Sequence, residues 1–256
     1  ALALAGFAVR GALGAILAGG VGSLLMVLAV FRRDTKAATD HTMSETPTVD
    51  SGWIDIIATL LAFGGLTALV TLDAVLIKHQ FADDVAATYA VLSVAGRSLF
   101  WATGAITTVL LPIVARQAGA GDRGRGSLWL GLAITLAIAG AGEVAFLVAP
   151  SLIVGLLFGP TYLAAAPLLP IFGLGSLSLS LGSVVLTWLV AQGKRAGAVI
   201  VPIAAIGQVA VILSGPDGLA DALARIVAVN GATLAALIAA ALMRNRPTMQ
   251  PATVDA

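Results

Sequence analysis

Four ionisable side chains, Arg10, Arg97, Glu143 and Arg225, stand inside long apolar runs, and two acids, Asp55 and Asp73, stand nearer the ends of such runs. A charge in hydrocarbon costs a few kcal/mol even on lenient insertion scales, so groups of this kind face protein or water and often mark a transport path. Arginine is suited to one task in particular. Its planar fork gives two parallel hydrogen bonds to a phosphate or carboxylate, so a mainly cationic set implies a polar cavity that solvates an anionic head group such as a lipid pyrophosphate. On that reading Arg97, Arg10 and Arg225 are the substrate-binding candidates. Asp73 and Glu143 are candidates for charge pairing or proton relay, and Asp73 can pair with one of the arginines. For Arg225 and Glu143 the bland alternative, snorkelling, is favoured: each lies about six residues, roughly 9 Å, from its helix end, within reach of the interface for a long side chain.

Other chemistry finds little footing. The chain carries no HExxH, no GxSxG and no glycine-rich phosphate loop, the arrangements that metal-assisted or nucleophilic hydrolysis and nucleotide binding require. His41 and His79 are far apart in sequence, and the absence of cysteine excludes thiolate metal sites, disulfides and thiol nucleophiles. The expectation is a protein that is not an enzyme and uses no metal or cofactor. A net charge of +1 gives no footprint for nucleic acid.

The elements that must position these groups are set by composition. The chain is 59% apolar and 11% charged with a mean hydropathy of +1.02, against about 45–50% and 25% for a soluble domain. A water-soluble fold of this size could not cover so much apolar surface. A helix needs roughly 20 apolar residues to cross the hydrocarbon core, and seven such stretches can be marked off, at about 2–31, 53–77, 86–115, 127–149, 163–191, 196–213 and 219–243. The fold class is therefore an all-α polytopic transmembrane bundle of about seven helices. Between the fourth and fifth, the run from Pro150 to Pro160 is too short to span and reads as an interfacial helix. Pro167 and Pro170 enter the fifth near its start, either as a kink or as prolines of a first helical turn.

Loop charges test this division independently, because Lys and Arg accumulate on the cytoplasmic side of short loops. Arg32, Arg33 and Lys36 follow the first stretch, Arg116, Arg123 and Arg125 the third, Lys194 and Arg195 the fifth, and Arg244 and Arg246 the seventh. The intervening loops hold one cation, Lys78. Such alternation fits seven crossings with the first helix beginning outside and the C-terminus in the cytoplasm, and it places Arg10, Arg97, Glu143 and Arg225 in the outer halves of their helices. Residues 34–52 are polar and rich in Thr, Ser and acids, a flexible cytoplasmic linker, and 247–256 read as a disordered tail. With no initiator Met and no basic signal-peptide start, upstream sequence is expected. The serines of GLGSLSLSLGS, from Gly173 to Ser183, together with Gly64, Gly65, Gly140 and Gly142, read as small residues that let helices approach. Trp53, Trp101, Trp129 and Trp188 lie mostly near helix ends, as interfacial anchors do.

The run DAVLIKHQFADDVAATYAVLSVAGR from Asp73 resembles the opening of the second half of polysaccharide exporters in the multidrug, oligosaccharide-lipid and polysaccharide superfamily, with Asp73 ending a helix before a short turn and then Ala87 and Tyr89. Pro112 in LLPIVARQ, Phe158, Gly159 and Tyr162 in the run before Pro170, and Ala191-Gln192-Gly193 are similar to the same pattern, covering residues 70–195. The resemblance implies two six-helix lobes that rock around a central cavity and carry an undecaprenyl-pyrophosphate oligosaccharide from the inner to the outer leaflet. Residues 53–246 would be the second lobe, and 1–33 the last helix of the preceding one. The chain departs from that family in holding one lobe, so the remaining cavity walls must come from the rest of a longer chain or from a partner.

The expected function is thus a flippase or exporter of lipid-linked oligosaccharide, located in the inner (plasma) membrane. Its expected partners are membrane lipid, an anionic lipid-linked glycan, and a second lobe or partner chain. Three alternatives compete. A multidrug or toxin extrusion antiporter for organic cations would favour buried acids over buried arginines. A nontransporting scaffold of a cell-envelope assembly complex needs no cavity, and a membrane glycosyltransferase would need catalytic acids that are absent.

Overall fold

The computed structural model describes residues 49–119 and 125–243. The first predicted helix, the linker up to residue 48, the tail and Arg10 lie outside the described residues. Seven α-helices follow one another: α1 (Val49–Gln80), α2 (Asp83–Gly119), α3 (Arg125–Val148), α4 (Pro150–Phe158), α5 (Leu169–Ala191), α6 (Ala196–Leu213) and α7 (Leu219–Leu242), with a 3₁₀ stretch, Pro160–Leu168, leading into α5. Among the described residues there is no strand. Six spans are long and apolar enough to cross a membrane, the fourth being the 3₁₀ stretch together with α5. A chain of this kind is a multi-pass membrane protein, because only helices satisfy every backbone group within one segment in lipid.

These spans match the six predicted stretches that fall on described residues. With the 3₁₀ stretch counted into the fourth span, no end differs by more than four residues, the widest gaps being 53 against Val49 and 115 against Gly119; α5 itself starts at Leu169, six residues past the predicted 163. Helix α1 therefore takes in the last residues of the stretch read as linker. The short run after Pro150 is a separate helix of 9 residues that stops at Gly159, whose φ of 87° lies in the left-handed region glycine favours. Pro167 falls in the 3₁₀ stretch and Pro170 in the first turn of α5. For Pro170 this is the bland of the two readings, a ring whose missing N–H would have had no intrahelical partner.

Helix α5 is the axis of the bundle, with α2, α3 and α7 packed around it. That arrangement explains its serines. Residues two apart on a helix point to nearly opposite sides, whereas residues four apart share a face, so Ser176 and Ser180 are buried while Ser178 is half-buried and bonds its own backbone at Leu174. A helix surrounded on several faces needs small residues on several faces. The glycine pairs divide. A Cβ on Gly65 would come within 2.9 Å of the Pro202 backbone and one on Gly142 within 2.1 Å of Leu99. Gly64 has nothing within 4 Å and Gly140 meets only Leu136 of its own helix, so these two do not mediate an approach between helices.

The core falls into two clusters along the bundle. One gathers around Tyr89, Leu92, Phe172 and Leu223, and the other around Leu69, Leu186, Trp188 and Leu189. Trp53 and Trp129 are exposed near helix starts as expected of anchors, and Trp101 is exposed midway along α2. Trp188 departs from the anchor reading: it is buried, with the Lys194 ammonium 5.1 Å above its ring. Lys194 Nζ also lies 3.5 Å from the carbonyls of Ala241 and Met243 at the end of α7, a favourable place for a cation. Burial, and secondarily the nearby charge of Arg125, hold the Lys194 ammonium below its ordinary pKa.

Candidate functional site: a polar cleft between α1, α2, α5 and α7

The short turn between α1 and α2 makes them antiparallel neighbours, and it brings residues far apart in sequence side by side. Asp73 is on α1, within two turns of its end, and Tyr89 and Arg97 are on the descending α2. All three converge. One Asp73 oxygen accepts from Arg97 Nη2 and from the backbone N–H of Ala74, the latter at 2.7 Å, and the other accepts from the Tyr89 hydroxyl. Asp73 and Tyr89 are almost wholly buried, while the Arg97 side chain keeps 20% of its surface open.

That open surface faces a cleft. Its walls are Val70 and Asp73 from α1, Arg97 from α2, Phe172, Gly175 and Ser176 from α5, and Ile226, Val227 and Asn230 from α7. The space at its centre, about 20 Å³, has room for about one water molecule. Asn230 contributes a side-chain oxygen that is buried without a hydrogen-bond partner. Glycine at 175 keeps this wall thin, since a Cβ there would lie 3.2 Å from Val227 and 3.5 Å from the Asn230 amide nitrogen. Phe172 closes one side, stacked edge-on to Tyr89 at 5.6 Å and lying over Gly96.

The chemistry of this arrangement is recognition. A guanidinium has five N–H donors, and the Asp73 carboxylate takes one of Arg97's. Arg97 lines the cleft, where its remaining donors can hold oxygens of an anion, while Asp73, itself fixed by Tyr89, holds the arginine in place. Such a preorganised donor is stronger than a free one.

Sequence reasoning paired Asp73 with an arginine, and the structure selects Arg97. The cationic cluster expected around it is not assembled among the described residues. Arg225 is on α7, yet it points to the α6–α7 turn, with Asp221 at 2.7 Å and the Ser214 hydroxyl at 2.8 Å. It neither lines the cleft nor needs to snorkel, because a local partner one turn away satisfies it. Glu143 on α3 is also away from the cleft, and it does not snorkel: it is 7% exposed, with Oε2 buried against Gly173 of α5 and without a hydrogen-bond partner. Asp55 forms a two-pronged, exposed pair with Arg195, at 3.0 and 2.8 Å, at the opposite end of the bundle.

Asn230 of the cleft was missed from the sequence, as was Gln208 outside it, whose amide donates to the Leu69 carbonyl at 3.0 Å and ties α6 to α1; Ser176 reads from the sequence only as a small packing residue. The available signal was an uncharged amide in the middle of an apolar span. Comparison with known proteins identifies no relative: no family model matches the chain, and neither a curated protein nor a solved structure matches it.

Proposed function

We propose that the described helices form one lobe of a membrane transporter that carries an anionic, lipid-linked oligosaccharide across the inner membrane by alternating access, with the α1–α2 turn on the outer side and the C-terminus in the cytoplasm. The observation that carries this reading is Arg97: an arginine deep in a membrane span, fixed by Asp73 and presenting free donors to a cleft between four helices. Isolated charge of this sort is costly in lipid, and a purely structural arginine would turn its donors inward. The cleft has room for about one water as it stands, so binding a pyrophosphate requires the cleft walls to separate. That separation is the motion alternating access supplies. The remaining walls of the full pathway come from a second lobe or a partner chain.

An extrusion antiporter for organic cations is the second reading, and the specific observation in its favour is the uncompensated carboxyl of Glu143. Within the cleft, however, the charge of Asp73 is already matched by Arg97. The two readings separate by binding in lipid nanodiscs. An undecaprenyl-pyrophosphate oligosaccharide is expected to bind in preference to a cationic dye, and preferential dye binding refutes the first reading. Arg97→Ala strands the buried Asp73 carboxyl and so lowers stability as well; measured per folded molecule in the membrane, it is expected to abolish most oligosaccharide export, and export at the native rate per molecule would remove Arg97 from the substrate path.

A further inference from the structure

The Glu143 carboxyl is the one buried acid of the described residues that the cleft does not use. It sits on α3 within the apolar span Arg125–Val148, and α2, α4 and α5 pack against that helix. Helices α4 and α5 carry no charged or titratable side chain. From the interior of α2 come Tyr89 and Arg97, both occupied by Asp73, and Asp83, Asp84 and Arg116 lie near its ends. Arg125, the one other charged residue of α3, is at its far end. Glu143 thus has neither an ion pair nor a hydrogen bond with any described residue.

A carboxylate in this position would carry a full charge in a low-dielectric interior with nothing to offset it, the most unfavourable state a side chain can take. Two kinds of small ligand remove that penalty. A metal cation needs several oxygen ligands around it, and the Glu143 surroundings do not offer them. Oε2 abuts the Gly173 backbone, and the Phe146 ring is close by. No group of metal-ligating acids or histidines exists among the described residues. A proton needs only the one oxygen.

We infer that Glu143 is a proton-binding site, and that loading and release of its proton are tied to the fit of α3 against α5 at Gly173. The neutral acid can lie against the glycine as observed. Charge on the carboxylate falls in part on Oε2, which is buried without a partner, and hydrating that oxygen requires α3 and α5 to part where a Cβ on Gly173 would stand only 1.9 Å from it. The neighbouring residue on α5, Phe172, forms a wall of the Arg97 cleft, so parting there moves the substrate site as well. This inference stands apart from the choice of substrate, because it concerns a group that the cleft does not contain.

The test exploits composition. Glu45 and Glu143 are the two glutamates of the 256-residue sequence, so this chain, labelled with carbon-13 at the glutamate side-chain carboxyl and placed in lipid vesicles, gives two signals by solid-state magnetic resonance. Glu45→Gln assigns them without touching the described helices. As pH is raised through about 5 to 9, the Glu143 signal is expected to pass from the acid to the carboxylate position, and Glu143→Gln to lose that transition. A signal that stays carboxylate over the whole range overturns the site, and one that stays acid overturns it as a site of exchange. No transport substrate enters the measurement, so its failure leaves the oligosaccharide reading untouched, and the reverse also holds.

Discussion

Asp73 and Glu143 are both nearly buried carboxyls inside apolar helices, and their surroundings are opposite. Asp73 accepts from an arginine, a tyrosine and a backbone N–H, supplied by its own helix and by α2. Glu143 accepts from none of the described residues and rests against a glycine. A partnered charge is a fixed point, since removing either member strands the other in low dielectric. An unpartnered acid is a variable one, because a single proton changes whether it tolerates the interior at all. The lobe therefore separates two duties: an anchored ion pair holds the donor that faces the cleft, and a solitary acid two helices away remains free to change state.

The largest expected effect separates the two acids directly. Asp73→Asn leaves Arg97 partly buried with no counter-charge and is expected to cost on the order of 3 kcal/mol of stability. Glu143→Gln keeps the shape and replaces an acid whose Oε2 has no hydrogen-bond partner among the described residues, so its cost should stay within about 1 kcal/mol. Reversible unfolding of both variants in the same detergent decides the matter. Equal losses would break the comparison, because Glu143 would then have partners of its own.

Next in size is the wall that Glu143 leans on. Gly173→Ala puts a methyl 1.9 Å from Glu143 Oε2 and 2.7 Å from the Phe146 ring, an overpacking expected to cost about 1–3 kcal/mol. Gly64→Ala, in open space within a helix, should be neutral or stabilising by up to about 1 kcal/mol. The double variant Gly173→Ala with Glu143→Ala sharpens the test: contacting residues couple, and roughly half the loss or more should return. An unchanged loss would mean that Phe146, not Glu143, meets the new methyl.

These contrasts mark what the sequence could and could not say. Membrane spans were legible because their requirement is local, a run of apolar residues of fixed length between polar punctuation, and with the 3₁₀ stretch counted into its span the described ends differ from the predicted ones by at most four residues. The Asp73–Arg97 pair was half legible: both charges stood in apolar runs joined by a short turn, though any of the arginines could have been the partner. Glu143 was misread as snorkelling because depth along α3 is visible in sequence, while the direction it faces depends on α5 packing there. The serines of α5 were legible as small residues that let helices approach, though which of them are buried depended on how many neighbours enclose the helix. Asn230 and Gln208 went unnoticed because an uncharged amide hardly disturbs an apolar average, although its unmet hydrogen bonds do constrain packing.

Arg225 supplies the smallest effect and the control for the rest. As a substrate candidate it stood beside Arg97, yet the two arginines are bound in different ways. Arg97 joins two helices and faces the cleft, whereas Arg225 pairs with Asp221 one turn earlier on the same helix, both side chains about one-third exposed. Pairs of that kind are worth about 0.3–0.5 kcal/mol and weaken with salt. Arg225→Gln is accordingly expected to change stability by less than about 1 kcal/mol, with the difference shrinking as salt is added, and to leave export near the native rate. Should export instead fall as far as in Arg97→Ala, Arg225 must turn into the pathway in some other conformation, and the anchored cation of the cleft would be one of two.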